Sequence, residues 1–307
     1  MLVYRGYSQK APGATVLTIG NFDGVHLGHR ALLTRLTRLA DEKNLLPTVL
    51  TFEPHPRDFF APQSAPARLS TLREKLELLA GEGVAQTCVI PFNKRFAALS
   101  ADDFIARILV ECLRVKHLII GDDFCFGAGR QGNFALLRQA GERYGFSVEA
   151  LATVVLAGQR VSSSAVRTAL DAGDMEDAAR LLGRPYSIDG RVVRGDQVGR
   201  QLGFATANIR IKHKKPPVLG VFAVEVDGLP GGTRQGVANL GVRPSAHTLA
   251  QPILEVHLFD FSADIYGAHL TVRFLHKIRN EARFPDFAAL QAQIGGDVET
   301  AKNYFTR

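Results

Sequence analysis

From residue 15 to about residue 155 short apolar runs rich in β-branched residues alternate with segments of helical period, and this alternation is the strongest constraint on the fold. It is the pattern of a parallel sheet whose crossovers are helices. TVLTIG, PTVLTF, TCVIPF, KHLIIG and SVEALATV are the expected strands. Between them HLGHRALLTRLTRLADEKN places Leu32, Leu36, Leu39 and Ala40 on one helical face, and TLREKLELLAGEG and SADDFIARILVECLR repeat the logic. Ligands of such sheets bind beyond the carboxyl ends of the strands, so the loops after TVLTIG, PTVLTF and KHLIIG are where chemistry is expected.

Beyond Ser162 the pattern gives two helices, SSSAVRTALDAG and MEDAARLLG, the second closed by Gly183 and followed by Arg184-Pro185. A boundary there gives domains 1–183 and 184–307, each long enough to bury its own core. After it, SIDGRVVRG, GVFAVEVDG, TRQGVANLGV, PILEVHLFDF and HLTVRFLHKI read as strands split by Gly, Pro and Asp turns, the composition of a small antiparallel barrel or sandwich. Two terminal helices, around FPDFAALQAQI and GDVETAKNYF with Ile294 to Asp297 as the turn, are expected to cap it.

No apolar run approaches the roughly 18 residues of a membrane span, and the start has no secretory pattern, so a soluble cytoplasmic protein is expected. Cys88, Cys112 and Cys125 are too scattered for a disulfide framework or zinc site and read as buried reduced thiols. The net charge of +7 suits polyanionic ligands, nucleotides or nucleic acid alike. Apart from His213, Lys214 and Lys215 near Arg210 and Lys212, the cations are spread along the chain, which argues against a nucleic-acid arm.

Immediately after the first expected strand stands GNFDGVHLGH, residues 20 to 29. Its glycines let backbone approach phosphates, and His26 and His29, three apart, share one face of the first helical turn, where free N–H groups and the helix dipole favour anions. There they can donate hydrogen bonds to a phosphate under attack. A bare H-x-x-H is as compatible with surface histidines or an incomplete metal site. In the second half, GRVVRGDQVGRQLGFATANI offers Thr206 and Asn208 as neutral oxygen donors, which suit magnesium; as alternate residues of an extended segment they point the same way. An ordinary turn is the plainer account of that stretch.

The ten-residue string resembles the signature of the HxGH nucleotidyltransferases, with Gly20, Phe22, Asp23, Gly24, His26, Gly28 and His29 in place. That resemblance implies a Rossmann-like domain that binds ATP there, with a later phosphate-gripping signature matched by Ser162, Ser163, Ser164 and Arg167. FEPHPR, from Phe52, and GDDFCFG, from Gly121, resemble those of the bacterial bifunctional riboflavin kinase/FAD synthetase family and imply flavin and nucleotide contacts for Phe52, Asp123 and Phe126. For the phenylalanines core packing is the bland alternative.

The second half resembles the same family's flavokinase domain, a small β-barrel, through its glycine-rich strand and loop and the strings GVFAV, GVANLGVRPS, LEVHLFDF and IRNEARF. The resemblance implies nucleotide or flavin contacts for Gly190, Gly195, Gly199, Arg200, Thr206, Asn208 and Arg279, magnesium on Thr206 and Asn208, and Glu255 as the base that takes the proton from riboflavin's terminal hydroxyl. The chain departs at Ala205, where the family usually has proline, which frees the local backbone but removes no ligand atom. The implied activity is sequential: ATP-dependent phosphorylation of riboflavin to FMN, then adenylylation of FMN to FAD with loss of pyrophosphate. Small-molecule substrates are expected, with no nucleic acid, membrane or obligate protein partner. The alternatives are a nucleotidyltransferase for another phosphorylated acceptor with a non-catalytic barrel, and an RNA-binding synthetase relative, which the absence of a K-M-S-K-S-like run disfavours.

Overall fold

A computed structural model describes residues 1–121, 123–195, 203–213, 215–243 and 251–306. By contacts it divides into two compact units, Met1–Pro66 with Leu72–Ser162, and Ala67–Thr71 with Ser163–Arg307. This division and the one expected at 183/184 differ in where the two helices after Ser162 belong.

The first unit runs β1 (Leu2–Arg5), β2 (Thr15–Ile19), α1 (Leu27–Lys43), β3 (Leu46–Glu53), α2 (Pro56–Phe60), α3 (Leu72–Gly81), β4 (Gln86–Pro91), α4 (Lys94–Ala97), α5 (Ala101–Asp103, continued by a π-helix over Phe104–Cys112), β5 (Val115–Gly121), α6 (Phe134–Tyr144), β6 (Ser147–Leu151) and a small hairpin of β7 (Val155–Leu156) and β8 (Gln159–Arg160). Its sheet has six parallel strands in the order β1-β4-β3-β2-β5-β6. The central β2 is buried throughout because both faces are covered: Leu17 and Ile19 pack with the π-helix and α6, and Val16 with α1 and α3. Such double coverage makes a strand read as a continuous apolar run. All four residues expected on the buried face of α1 lie in the core, joined by Leu33. β1 has no counterpart among the expected strands. It is a four-residue edge strand with only Tyr4 buried, too short for a period to show. Cys88 and Cys112 are buried as expected, but Cys125 is exposed: it stands between Phe124 and Phe126 in an extended loop, where alternate side chains face opposite ways.

The second unit holds α7 (Ser163–Ala172), α8 (Met175–Leu182), β9 (Tyr186–Val193), β10 (Ala207–Ile211), β11 (Gly220–Asp227), β12 (Arg234–Arg243), β13 (Gln251–Leu258), β14 (His269–Arg279) and α9 (Phe287–Phe305). Its six strands close into an antiparallel barrel in the order β10-β13-β12-β11-β14-β9. Inside it Phe222 meets Phe274 edge-on at 5.2 Å, with Leu254, Val256 and Val272 also fully buried. The opposite face of β11 carries Val221 and Ala223, which with Val237 and Phe259 receive α9 through Val298, Ala301, Tyr304 and Phe305.

One helix therefore stands where two were expected. α9 runs unbroken through Gly295 and Gly296. Two interior glycines cost a helix about 1 kcal/mol each. The packed face offsets this, and so does Asp297, whose buried carboxylate pairs with the half-buried Arg279 at the place where the turn was expected.

Candidate active sites

In the first unit β2 lies at the point where the chain order reverses, with β3 on one side and β5 on the other, and a pocket opens beyond the carboxyl ends of β2 and β5. Phe22 and Val25 adopt positive φ angles of 48° and 42°, with Gly24 at 82°, so the loop after β2 coils tightly before α1 begins. His26 is the N-cap of that helix, and its Nδ1 accepts the backbone N–H of His29 at 3.3 Å. The two rings stack with centroids 3.7 Å apart, and Phe22 leans on His29 at 4.9 Å. Gly28 has a specific reason to be glycine: a Cβ there would stand 3.2 Å from the His26 ring and 3.3 Å from the Val161 carbonyl.

His29 is held neutral. Removal from water, then the neighbouring His26 and the Lys75 ammonium, push its pKa well below the ordinary imidazole value. Its Nδ1 is buried with no hydrogen-bond partner among the described residues. Gly20, Phe22, His26, Gly28, His29, Asp123 and Ser162 all line this pocket; Asp23 and Gly24 are buried within the loop itself. Ser163, Ser164 and Arg167 belong to α7 of the second unit, where Arg167 Nε donates to the Ala67 carbonyl at 2.6 Å.

Asp123 is paired with Arg160 at 2.8 Å. Sequence reasoning did not single out Arg160, because nothing in the string GQR marks it; the β7-β8 hairpin places it. Phe52 and Phe126 sit in a chain of ring contacts instead. Phe52 meets Phe92 at 5.8 Å and Phe96 at 5.7 Å, while Phe126 is buried against Phe104 at 5.1 Å and stacks on Phe124 at 5.6 Å, and Phe124 is a pocket wall. At the other end of the chain Phe60 is 67% exposed.

In the second unit Asn208 of β10 and Asn239 of β12 are both register partners of Glu255 on β13, so three adjacent strands bring the three side chains to one face. Glu255 lies between the buried Leu254 and Val256 and so points away from the barrel interior, as its alternation indicated. It does not face open solvent: it is a wall of a cavity of about 370 Å³ shared with Thr206, Asn239, His257, Arg279 and Asp297. His257 donates from Nδ1 to the Ala205 carbonyl at 2.9 Å and packs edge-on against Phe204 at 5.6 Å. The segment that lacks the family's proline is thus tied down by a side chain two residues from Glu255.

Arg279 is committed to α9. Its Nε donates to Asp297 Oδ1 at 2.9 Å and its Nη2 to Oδ2 at 2.6 Å, while Gln293 also donates to that carboxylate at 2.9 Å. Gly190 has a packing reason, since a Cβ would come within 2.6 Å of the Arg210 carbonyl oxygen, and Gly195 lies against the Asn208 amide. Gly199 and Arg200 lie outside the described residues. Asn239, His257 and Asp297 went unread in the sequence, although His257 stands two residues from Glu255 and the strand period puts both on one face.

Residues 8–165 match the FAD synthetase family and residues 182–305 the riboflavin kinase family. A bifunctional riboflavin kinase/FMN adenylyltransferase of Haemophilus influenzae is 52% identical over 289 residues, 94% of each chain. The chain belongs to this family. Another member, from Escherichia coli K12, is 50% identical over 97% of this chain and 95% of its own. The crystal structure of a macrolide-efflux protein from Streptococcus pneumoniae superposes with a TM-score of 0.85 at 27% identity over 99% of both chains, so the two share a fold. Among the described residues no helix is long and apolar enough to cross a membrane.

Proposed function

We propose that this chain phosphorylates riboflavin to FMN in its second unit and adenylylates FMN to FAD in its first. The observation that carries the reading is that each unit has its own polar constellation: stacked histidines on a helix N-terminus at the switch point of a parallel sheet, and a carboxylate set between two asparagines on a barrel.

In the first site His26 and His29 face the place where the α-phosphate of ATP meets the FMN phosphate, and the exposed end of α1 adds backbone N–H groups. The His29 Nδ1, buried without a partner among the described residues, suits a polar ligand atom, because leaving it unmet is costly. The neutral His29 imidazole, with His26 stacked on it, can donate a hydrogen bond to the oxygens as charge grows on them, and this lowers the barrier electrostatically. Ser162, with Ser163, Ser164 and Arg167 from the start of α7, is assigned to the leaving pyrophosphate. Phe52 and Phe126, within the aromatic series, and Asp123 on the pocket wall are assigned to the flavin side.

In the second site Glu255 takes the proton from the ribityl hydroxyl as that oxygen attacks the γ-phosphorus of ATP. Thr206 and Asn208 fit magnesium by donor chemistry: both offer neutral side-chain oxygens beside the Glu255 carboxylate, and magnesium is usually held by few protein oxygens together with water and phosphate. When bound it neutralises charge on the transferring phosphoryl group. Gly190, Gly195, Gly199, Arg200 and Arg279 complete the assigned nucleotide and flavin contacts. We place the boundary between the two catalytic modules at 183/184 and the protein in the cytoplasm, acting on riboflavin, FMN and ATP without an obligate protein partner.

The test is a chromatographic time course with riboflavin, ATP and magnesium, in which FMN appears first and FAD follows. His29→Ala should stop FAD formation and spare FMN formation, and Glu255→Ala should do the reverse when FMN is supplied. Loss of both reactions from either folded variant would refute the two-site assignment.

A further inference from the structure

We propose that Lys75 is a positioning residue of the adenylylation site, a buried cation that fixes the loop before α1 through Thr51 and sets the field in which the stacked histidines work. Lys75, on α3, is 0% exposed, although lysine is among the residues least often fully buried. It is not a wall of the histidine pocket, so it acts through other groups rather than by touching substrate. Its Nζ donates to Thr51 Oγ1 at 3.4 Å, and that hydroxyl donates onward to the Asn21 carbonyl at 3.2 Å, inside the loop that presents His26 and His29. Successive hydrogen bonds of this kind polarise one another and hold a loop in register.

The same ammonium is close enough to His29 to disfavour a second positive charge there. Among the described residues, the loop, the start of α1 and the pocket walls also carry His26, stacked on the ring; Asp23, buried in the same loop; Arg30, next in the chain and paired with Glu82; and Asp123 with Arg160, which pair with each other. Lys75 thus lets the imidazole enter the reaction as a neutral donor while contributing positive potential behind a site that binds phosphates. The inference rests on the reading of His29 as part of that site.

The test titrates the imidazole of His29 by NMR in full-length protein carrying isotope-labelled histidine, the signal being assigned through His29→Gln. In Lys75→Met the titration should move up by about one pH unit, the size of a removed nearby charge, and in Lys75→Arg it should stay where the unsubstituted protein has it. The pH profile of FAD formation should move with it, while riboflavin phosphorylation in the same samples keeps its profile. An unsubstituted protein whose His29 titrates at the ordinary imidazole value overturns the proposal whether or not Lys75→Met folds. Equal shifts in the Met and Arg variants, or an FAD profile that ignores a shifted titration, overturn it too. If His29→Gln itself makes FAD at the normal rate, the site reading has failed instead.

Discussion

Gly195→Ala is the sharpest probe of the kinase site, because the backbone tolerates it and only space forbids it. Gly195 does not have a left-handed φ, so alanine adds no backbone strain. Its Cβ would stand 2.5 Å from Asn208 Cγ and 2.6 Å from Oδ1, whereas ordinary contact begins at 3.4 Å. The nearest atom, Nδ2, would be closer still, so the amide of Asn208 must retreat by about 1 Å or swing away, and a misplacement of about 1 Å in a reacting constellation costs on the order of 100-fold. Asn208 is the register partner of Glu255, so the displacement falls on the group assigned to magnesium beside the group assigned as base. Riboflavin phosphorylation should drop about 100-fold and need more magnesium for half-saturation. FMN supplied directly should be adenylylated at the normal rate. Both rates are read from flavin chromatography with magnesium varied, alongside a melting curve. A variant that phosphorylates riboflavin within about twofold of the unsubstituted rate, at unchanged magnesium dependence, would show that Asn208 does not work where this geometry puts it.

Asp297→Asn leaves the Arg279 fork short of its charge partner and should destabilise the second unit by about 3 kcal/mol, the low end for breaking a buried pair. Calorimetry should show this as a fall of roughly 10 °C in that unit's melting. Gly28→Ala presses a methyl on the His26 ring and should slow FAD formation roughly tenfold with kinase activity kept, as read by the same chromatography. His29→Gln should make the protein more acid-tolerant. The folded ring has a lowered pKa, so below the unfolded value near 6.5 only the unfolded chain takes the proton, and stability falls with pH by up to about 1.4 kcal/mol per unit. Urea unfolding at about pH 7.5 and pH 5.5 should therefore show a smaller acid loss in the variant, with His117, also lowered by burial, accounting for part of what remains.

What could be read from the chain and what could not divides along a physical line. The strand–helix alternation showed the parallel sheet because each crossover buries a full helical face, as Leu32, Leu36 and Leu39 do. β1 escaped because an edge strand of four residues buries one side chain, and β10 escaped as a strand because its five residues follow a glycine-rich stretch of sequence that carries no strand period. The same distinction governs the sites. His26, His29, Thr206 and Asn208 could be picked out because their partners are near in sequence. Lys75, Asn239 and Asp297 could not, because their meaning comes from strand register or helix docking: Asn239 matters once β12 pairs with Glu255, and Asp297 once α9 lies against the barrel.

Phe126 poses the converse question. Its motif pointed to a ligand, but its ring is buried between Phe104 and Phe124, so any effect it has on a flavin passes through Phe124 at the pocket wall. A substitution that keeps an apolar side chain in the core, Phe126→Leu, should therefore change the affinity for FMN far less than Phe124→Ala does. Flavin titration of the two variants would separate them, and an equal loss in both would mean that Phe126 itself reaches the ligand.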